Sequence, residues 1–249
     1  CKAKGAFRQK KDETLWWEIA CPLILLMKKR KKGNVIEILP RKNALVRPAV
    51  ANVDQALVIF AGTSPKPNLN LLDRFLLDDG TAERADADLF NKEDLASEAE
   101  IQELRDAYGT CGYPLFFVSA RQQEGIEPLR AALEGKTTTV AGPSGVGKST
   151  LINLLAPEVQ METGEISEKI QRGKHTTRHS QLILLNEQTY IFDTPGFILA
   201  VDFFEKETLG TLFPEFVKYE QNCRFTGCSH IGEPVCGVKE ALAEGKISQ

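Results

Sequence analysis

The sequence predicts a multidomain α/β protein. It has a small N-terminal β-barrel, a central domain on a mainly parallel sheet, and a short helical C-terminal lobe organised by cysteines. Three observations predict this. Strand-like and helix-like stretches alternate from Gln55 to Phe192, the pattern of a parallel sheet covered by helices. The first 47 residues or so carry β-rich runs and no convincing helix. Three of the six cysteines fall within fourteen residues near the end, among short helical pieces.

In the N-terminal part, Leu23–Met27 and Asn34–Leu39 are β-rich runs on either side of the basic stretch Lys28–Gly33, and read as a hairpin. Arg47-Pro48 marks a boundary, so the barrel is assigned to residues 1–47 and the central domain to 48–204. Gln55–Ala61 is a buried-strand pattern, and Leu69–Leu77 repeats apolar residues at helical spacing. Ala85-Asp-Ala-Asp-Leu-Phe90 is a poor strand because two aspartates interrupt its apolar residues. Asp94–Tyr108 reads as one helix, Pro114–Val118 as a short strand and Gly125–Leu133 as a helix. Thr137–Ala141 is a strand, Lys148–Leu155 a helix, and Gln181–Leu185 and Thr189–Phe192 are strands around a turn at Asn186-Glu187. The C-terminal lobe is assigned to 205–249, with Lys239–Gln249 read as a helix. A chain led by Cys1 rather than Met, and ending on a helix without a partner, is expected to be truncated at both ends.

Composition narrows the function classes. With 42% hydrophobic and 26% charged residues, the chain of 249 can bury a core. A net charge of −3 excludes a globally basic nucleic-acid binder and leaves any basic surface local. No apolar run reaches the roughly 18–20 residues of a membrane span, and Leu15–Met27 is interrupted by Glu18 and Pro22. The first residues are polar and basic with no apolar stretch behind them, so no secretion signal and no membrane role are expected. A cytoplasmic location follows, where clustered cysteines favour metal over disulfides.

The chemistry is concentrated in six motifs. Gly142-Pro-Ser144-Gly145-Val146-Gly147-Lys148-Ser149-Thr150 matches the P-loop pattern between an apolar strand and an apolar helix. Its glycines let backbone N–H groups converge on phosphate oxygens at a helix N-terminus. Lys148 can reach the β and γ phosphates, and the Ser149 hydroxyl can ligate Mg²⁺. Asp193-Thr-Pro-Gly196 ends an apolar strand; there the carboxylate can hold Mg²⁺ through water and the Gly196 N–H can contact a γ phosphate. Between the two lies Gly173-Lys-His175-Thr176-Thr177-Arg178, whose paired threonines offer a second hydroxyl to Mg²⁺, taken as that of Thr177.

Asn91-Lys92-Glu93-Asp94 fits N-K-x-D. Its aspartate can accept from guanine N1–H and N2–H₂, a pair adenine lacks, so it selects GTP over ATP. Ser119-Ala120 would offer a backbone N–H to guanine O6. The motif order is unusual, since base recognition precedes the phosphate loop. A circularly permuted domain, with old termini joined and new ones opened after the Asp193 motif, would leave the sheet unchanged. Finally, Cys223-x₄-Cys228-x-His230-x₅-Cys236 is a Cys₃His set with no open position for catalysis, expected to hold one structural Zn²⁺ per chain. The bland alternative is buried free thiols beside a surface histidine. The run Lys28–Lys32 is a solvated turn by charge alone, or an RNA-phosphate grip if it tips a barrel hairpin.

These residues resemble the circularly permuted, ribosome-small-subunit-dependent GTPase A family of bacterial assembly factors. The resemblance spans nearly the whole chain and rests on Arg47-Pro48, Asn52-Val53-Asp54-Gln55, Leu72-Asp73-Arg74-Phe75-Leu76, Gly142–Thr150, Gly173–Thr177, Asp193–Phe197 and the cysteine cluster. It implies an N-terminal OB-fold, a permuted GTPase domain and a C-terminal zinc domain. It also implies hydrolysis of GTP to GDP, stimulated by the small ribosomal subunit and its rRNA during late maturation, by a protein expected to be a monomer. Two departures stand out: the poor strand before Asn91, and the absence of a Gly-Asp turn in Asp12–Met27. Phe197 occupies the position where other GTPases place a water-orienting glutamine, so intrinsic hydrolysis is expected to be slow. His175 matches a family histidine proposed to orient the water. The alternative function is a slow-hydrolysing, nucleotide-gated RNA-binding module.

Overall fold

The computed structural model describes residues 2–3, 34–35, 40–43, 50–80, 87–158, 181–193 and 210–248. The central domain is a six-stranded sheet. Its strands are β3 (Gln55–Ala61), β4 (Ala87–Asn91), β5 (Leu115–Phe117), β6 (Thr137–Ala141), β7 (Gln181–Asn186) and β8 (Thr189–Asp193), in the spatial order β5-β4-β3-β6-β8-β7. Every neighbouring pair is parallel except β7 and β8, which form an antiparallel edge. The two-residue strands β1 (Lys2–Ala3) and β2 (Asn34–Val35) pair in parallel. The expected Leu23–Met27 strand, the basic run Lys28–Lys32 and the Asp12–Met27 segment lie outside the described residues.

The centre of the sheet is buried on both faces, which is why β3 reads as a continuous apolar run rather than an alternating one; the edge strand β7 leaves Leu182 and Leu184 exposed. Against one face lie α3 (Ile126–Leu133) and α4 (Lys148–Leu155), whose Leu129, Leu133, Leu151 and Ile152 meet Leu57, Ile59, Leu89 and Val140. Against the other lie α1 (Leu69–Gly80) and α2 (Glu98–Tyr108), whose Leu72, Phe75, Ile101 and Leu104 meet Val58, Phe60 and Phe90. Phe60 meets Phe75 edge-on at 5.9 Å and Phe90 stacks on Phe117 at 5.4 Å. Each such fully buried large side chain stabilises the fold by about 1.5–3 kcal/mol.

Two expectations about this domain are corrected. Ala87–Asn91 is a regular strand, buried along its whole length between β3 and β5, despite Asp88. Burial on both faces and two ladders of backbone hydrogen bonds override its weak local propensity. The single helix Asp94–Tyr108 is two elements, a short 3-10 helix Glu93–Leu95 and then α2. Ser97 divides them: its hydroxyl caps the Glu100 N–H, and the Glu100 carboxylate returns to the Ser97 N–H, completing a capping box.

Below the sheet, the segment 40–43 is latched to the start of β3. The Asn43 side chain exchanges hydrogen bonds with the backbone of Val53, and Lys42 pairs with Asp54 at 2.6 Å. The other Asp54 oxygen accepts the Thr137 N–H, tying the latch to the strand that carries the phosphate loop.

The C-terminal lobe contains a 3-10 turn (Gly210–Leu212), α5 (Pro214–Glu220) and α6 (Gly237–Ala243). The helix expected over Lys239–Gln249 therefore begins earlier, at the N-cap Cys236, and stops before Gly245, which sits at φ +70°. Phe216, Tyr219, Val238, Ala241 and Ile247 form its small core. The lobe rests on the C-terminal end of α2 through a hydrogen bond from Ser248 Oγ to the Ala107 carbonyl (2.7 Å) and a contact between Cys111 and Glu215. Among the described residues no helix is long and apolar enough to cross a membrane.

Candidate functional site

The site lies at the C-terminal ends of the parallel strands, where open α/β sheets bind ligands. β6 runs into the phosphate loop, and α4 leaves it at Lys148. Two glycines are dictated by geometry. Gly142, at φ +136°, passes so close to β3 that a Cβ would lie 2.0 Å from the Ile59 carbonyl oxygen. Gly147, at φ +94°, leaves no room for a Cβ against the Asn91 amide, 2.4 Å away. Ser144 and Gly145 are exposed at the crown of the loop, Val146 is buried beneath it, and Ser149 and Thr150 lie in the first turn of α4.

Lys148 curls over its own loop and donates to the carbonyls of Gly142 (2.8 Å) and Pro143 (2.5 Å). Asp193 ends β8 in register with Val140 and so faces the base of the loop. Burial pushes the Asp193 carboxyl above its usual range, against the opposing pull of Lys148. Burial pushes the Lys148 ammonium down, and Asp193 resists that shift. The two are therefore coupled across the floor of the site.

The residues expected to read the base come from the far side of β3. Asn91, buried at the end of β4, donates its amide to the Val146 carbonyl (2.9 Å) and accepts the Ala120 N–H (3.1 Å). One side chain thus joins the phosphate loop, the Asn91–Asp94 segment and the Ser119-Ala120 segment, and of the two N–H groups in the pair expected to face guanine O6, that of Ala120 is here given to Asn91. Lys92 turns through the left-handed region at φ 63° and donates to the carbonyls of Gly145 (2.7 Å) and Ser64 (2.5 Å). Asp94 is half-buried on the short 3-10 helix, and Ser119 is buried with its N–H bonded to the Glu124 carbonyl. His175, Thr177, Gly196 and Phe197 lie outside the described residues.

The second constellation is in the C-terminal lobe. The ligand atoms of Cys223, Cys228, His230 and Cys236 all lie within 4.8 Å of one another. Cys223 Sγ is 3.9 Å from Cys236 Sγ, and His230 Nδ1 is 3.3 Å from Cys236 Sγ. A tetrahedral zinc with bonds of about 2.3 Å to sulfur needs sulfur atoms about 3.8 Å apart, so the donor set fits a metal ion. His230 is at φ 59° and its Nε2 lies 3.5 Å from Glu220. Burial raises the Cys236 thiol, but the Lys239 N–H at the start of α6, His230 and the neighbouring thiols outweigh it and bring it to about 7.

The sequence reading missed Glu233. Its carboxylate gathers the N–H groups of Ser229, Ile231 and Gly232 and the Ser229 hydroxyl, and the Ser229 N–H and hydroxyl, with the backbone of Glu233 itself and of Gly232, hold it near 2. It shapes the turn that presents Cys228 and His230. An acid between two ligands of a Cys/His set is the signal that could have found it.

Comparison with known proteins agrees with this geometry. The family model described as RsgA GTPase matches residues 38–201. A protein of Agathobacter rectalis named small ribosomal subunit biogenesis GTPase RsgA is 57% identical over 250 residues, covering 100% of this chain and 82% of its own length. A protein of the same name from Alkaliphilus metalliredigens is 45% identical over 253 residues, covering 100% and 85%. Among solved structures, YjeQ from Thermotoga maritima is 36% identical with a TM-score of 0.71, covering 87% of this chain and 74% of its own. YloQ, described as a circularly permuted GTPase, is 31% identical with a TM-score of 0.71, covering 100% and 80%.

Proposed function

The chain belongs to the RsgA GTPase family, and from that premise we propose that it hydrolyses GTP in association with the small ribosomal subunit, during late maturation of that subunit. The observation that carries this is the Asn91 side chain, which binds the phosphate loop and the Ala120 segment together. A loop that merely binds phosphate needs no such tie to a base-reading segment. The fold is that of a circularly permuted GTPase, so base recognition precedes the phosphate loop in sequence yet lies beside it in space.

GTP is held along Gly142–Thr150. Lys148 releases its own loop carbonyls and turns to the β and γ phosphates, while backbone N–H groups at the start of α4 receive phosphate oxygens. Asp94 reads the guanine edge, and Lys92 braces the pocket wall. Ser149, Thr177 and Asp193 would hold Mg²⁺, which when bound neutralises charge on the β and γ oxygens. Thr177 and Gly196 close on the γ phosphate, and His175 orients the attacking water that Phe197 cannot hydrogen-bond. Cys223, Cys228, His230 and Cys236 hold one structural Zn²⁺ that stabilises a lobe with a small core. The N-terminal part, read as an OB-fold, and this lobe contact rRNA. The protein acts as a monomer in the cytoplasm, away from membranes.

The test is equilibrium competition: GDP and GTP displace a bound fluorescent guanine nucleotide, and ATP does not. Displacement by ATP at similar concentrations would remove Asp94 from its role. In that assay His175→Ala retains GTP affinity, while a separate turnover assay shows it losing the stimulation by small subunits.

A further inference from the structure

The turn that carries Asp94 is short and held at both ends by one loop. It is a three-residue 3-10 helix whose N-cap, Lys92, makes no side-chain capping bond. Within it the Leu95 and Ala96 N–H groups reach back to the carbonyls of Lys92 and Glu93, and outside it the Glu93 N–H meets the Val118 carbonyl at 3.1 Å, a sparse framework for a carboxylate that must meet a base edge. At its start, Lys92 Nζ is fixed to the Ser64 carbonyl. At its end, Ser97 gives its N–H and hydroxyl to Glu100 Oε2, both at 2.8 Å. The other Glu100 oxygen accepts the Thr63 hydroxyl at 2.9 Å. Thr63 and Ser64 are consecutive residues of the loop after β3, so that loop grips the Asp94 turn before and after the aspartate.

A capping box needs only Ser97 and Glu100. The bond to Thr63 adds nothing to the cap. Its effect is to connect the cap, and with it the end of the turn, to the loop that already holds Lys92. We propose that Thr63 and Glu100 are positioning residues for guanine selectivity: they fix the Asp94 turn so that its carboxylate meets the exocyclic amine of the base. This deepens, and rests on, the assignment of Asp94 as the guanine reader.

The experiment compares binding of GDP and IDP, which differ only in that exocyclic amine, by calorimetry on the full chain. The variants are Thr63→Val, Glu100→Ala and Asp94→Ala. A charge-assisted hydrogen bond to the amine corresponds to about tenfold or more in affinity, so Asp94→Ala brings the two nucleotides to near equality. Thr63→Val keeps the capping box and the fold, and lowers the GDP-to-IDP preference by about threefold or more. Glu100→Ala lowers it further. A purely structural role for the cap would weaken both nucleotides equally and leave the ratio unchanged. If Asp94→Ala loses the preference while Thr63→Val and Glu100→Ala keep it, the proposal is overturned. If Asp94→Ala keeps it, the base-reading assignment fails first and the positioning role falls with it.

Discussion

Asn91→Ala removes the side chain that joins the phosphate loop to the Ala120 segment. Its amide is buried, 2% exposed, and makes two hydrogen bonds to backbone groups, the Val146 carbonyl at 2.9 Å and the Ala120 N–H at 3.1 Å. The alanine leaves both backbone groups facing a cavity. Each buried group left without a partner costs about 1–3 kcal/mol, so the pair costs about 2–6 kcal/mol, and about 3 kcal/mol is a conservative working value. A domain of this size loses about 2–4 °C of melting temperature per kcal/mol, so the nucleotide-free protein should melt about 6–12 °C lower. The phosphate loop also loses its tie to β4. If the same 3 kcal/mol appears in binding instead, GDP affinity falls by about a hundredfold. The assay is a thermal melt with and without GDP, paired with calorimetric binding. A variant that melts within about 1 °C of the parent and binds GDP with the parental Kd would refute the bridging role.

Further outcomes follow from the same geometry. Burial raises the Asp193 carboxyl, so its protonation competes with Mg²⁺ at a higher pH than for an ordinary aspartate near 3.8. Mg²⁺-dependent GTP binding should therefore weaken on acidification earlier than nucleotide binding without metal, and Asp193→Asn should remove that difference. The sign for stability is opposite: a raised carboxyl favours the folded state below its unfolded pKa, and that contribution is lost as pH rises through the folded value. Gly147→Ala meets the Asn91 amide at 2.4 Å and a backbone at φ +94°, and should reduce GDP affinity by about tenfold or more, read by calorimetry. Cys228→Ser should abolish stoichiometric zinc in freshly purified protein by metal analysis, and Glu233→Ala should speed zinc release to a chelator by loosening the Ser229–Gly232 turn.

What could be read in advance was local. The phosphate loop, the strand before it and the helix after it are adjacent in sequence, and their glycines announce the turn. Asp193 was readable because it ends a short apolar strand. β4 was not, since Asp88 breaks its apolar pattern and only the neighbours β3 and β5 make it a strand. The division of Asp94–Tyr108 was present in the sequence as Ser97 with Glu100 three residues on, a capping signature masked by the helical periodicity around it. The bridging by Asn91 to Val146 spans 55 residues, and Glu100 reaches Thr63 across 37, so neither could be inferred without the fold. In the C-terminal lobe the four Cys and His residues that converge on one point were legible from spacing, whereas Glu233, which orders the turn between His230 and Cys236, was not.

The decisive measurement is steady-state nucleotide turnover with and without purified small ribosomal subunits. The free protein should hydrolyse GTP slowly, small subunits should stimulate it many-fold, and ATP should show no comparable turnover. GTP turnover that is the same with and without subunits would contradict this and leave a nucleotide-gated binding module in place of the enzyme.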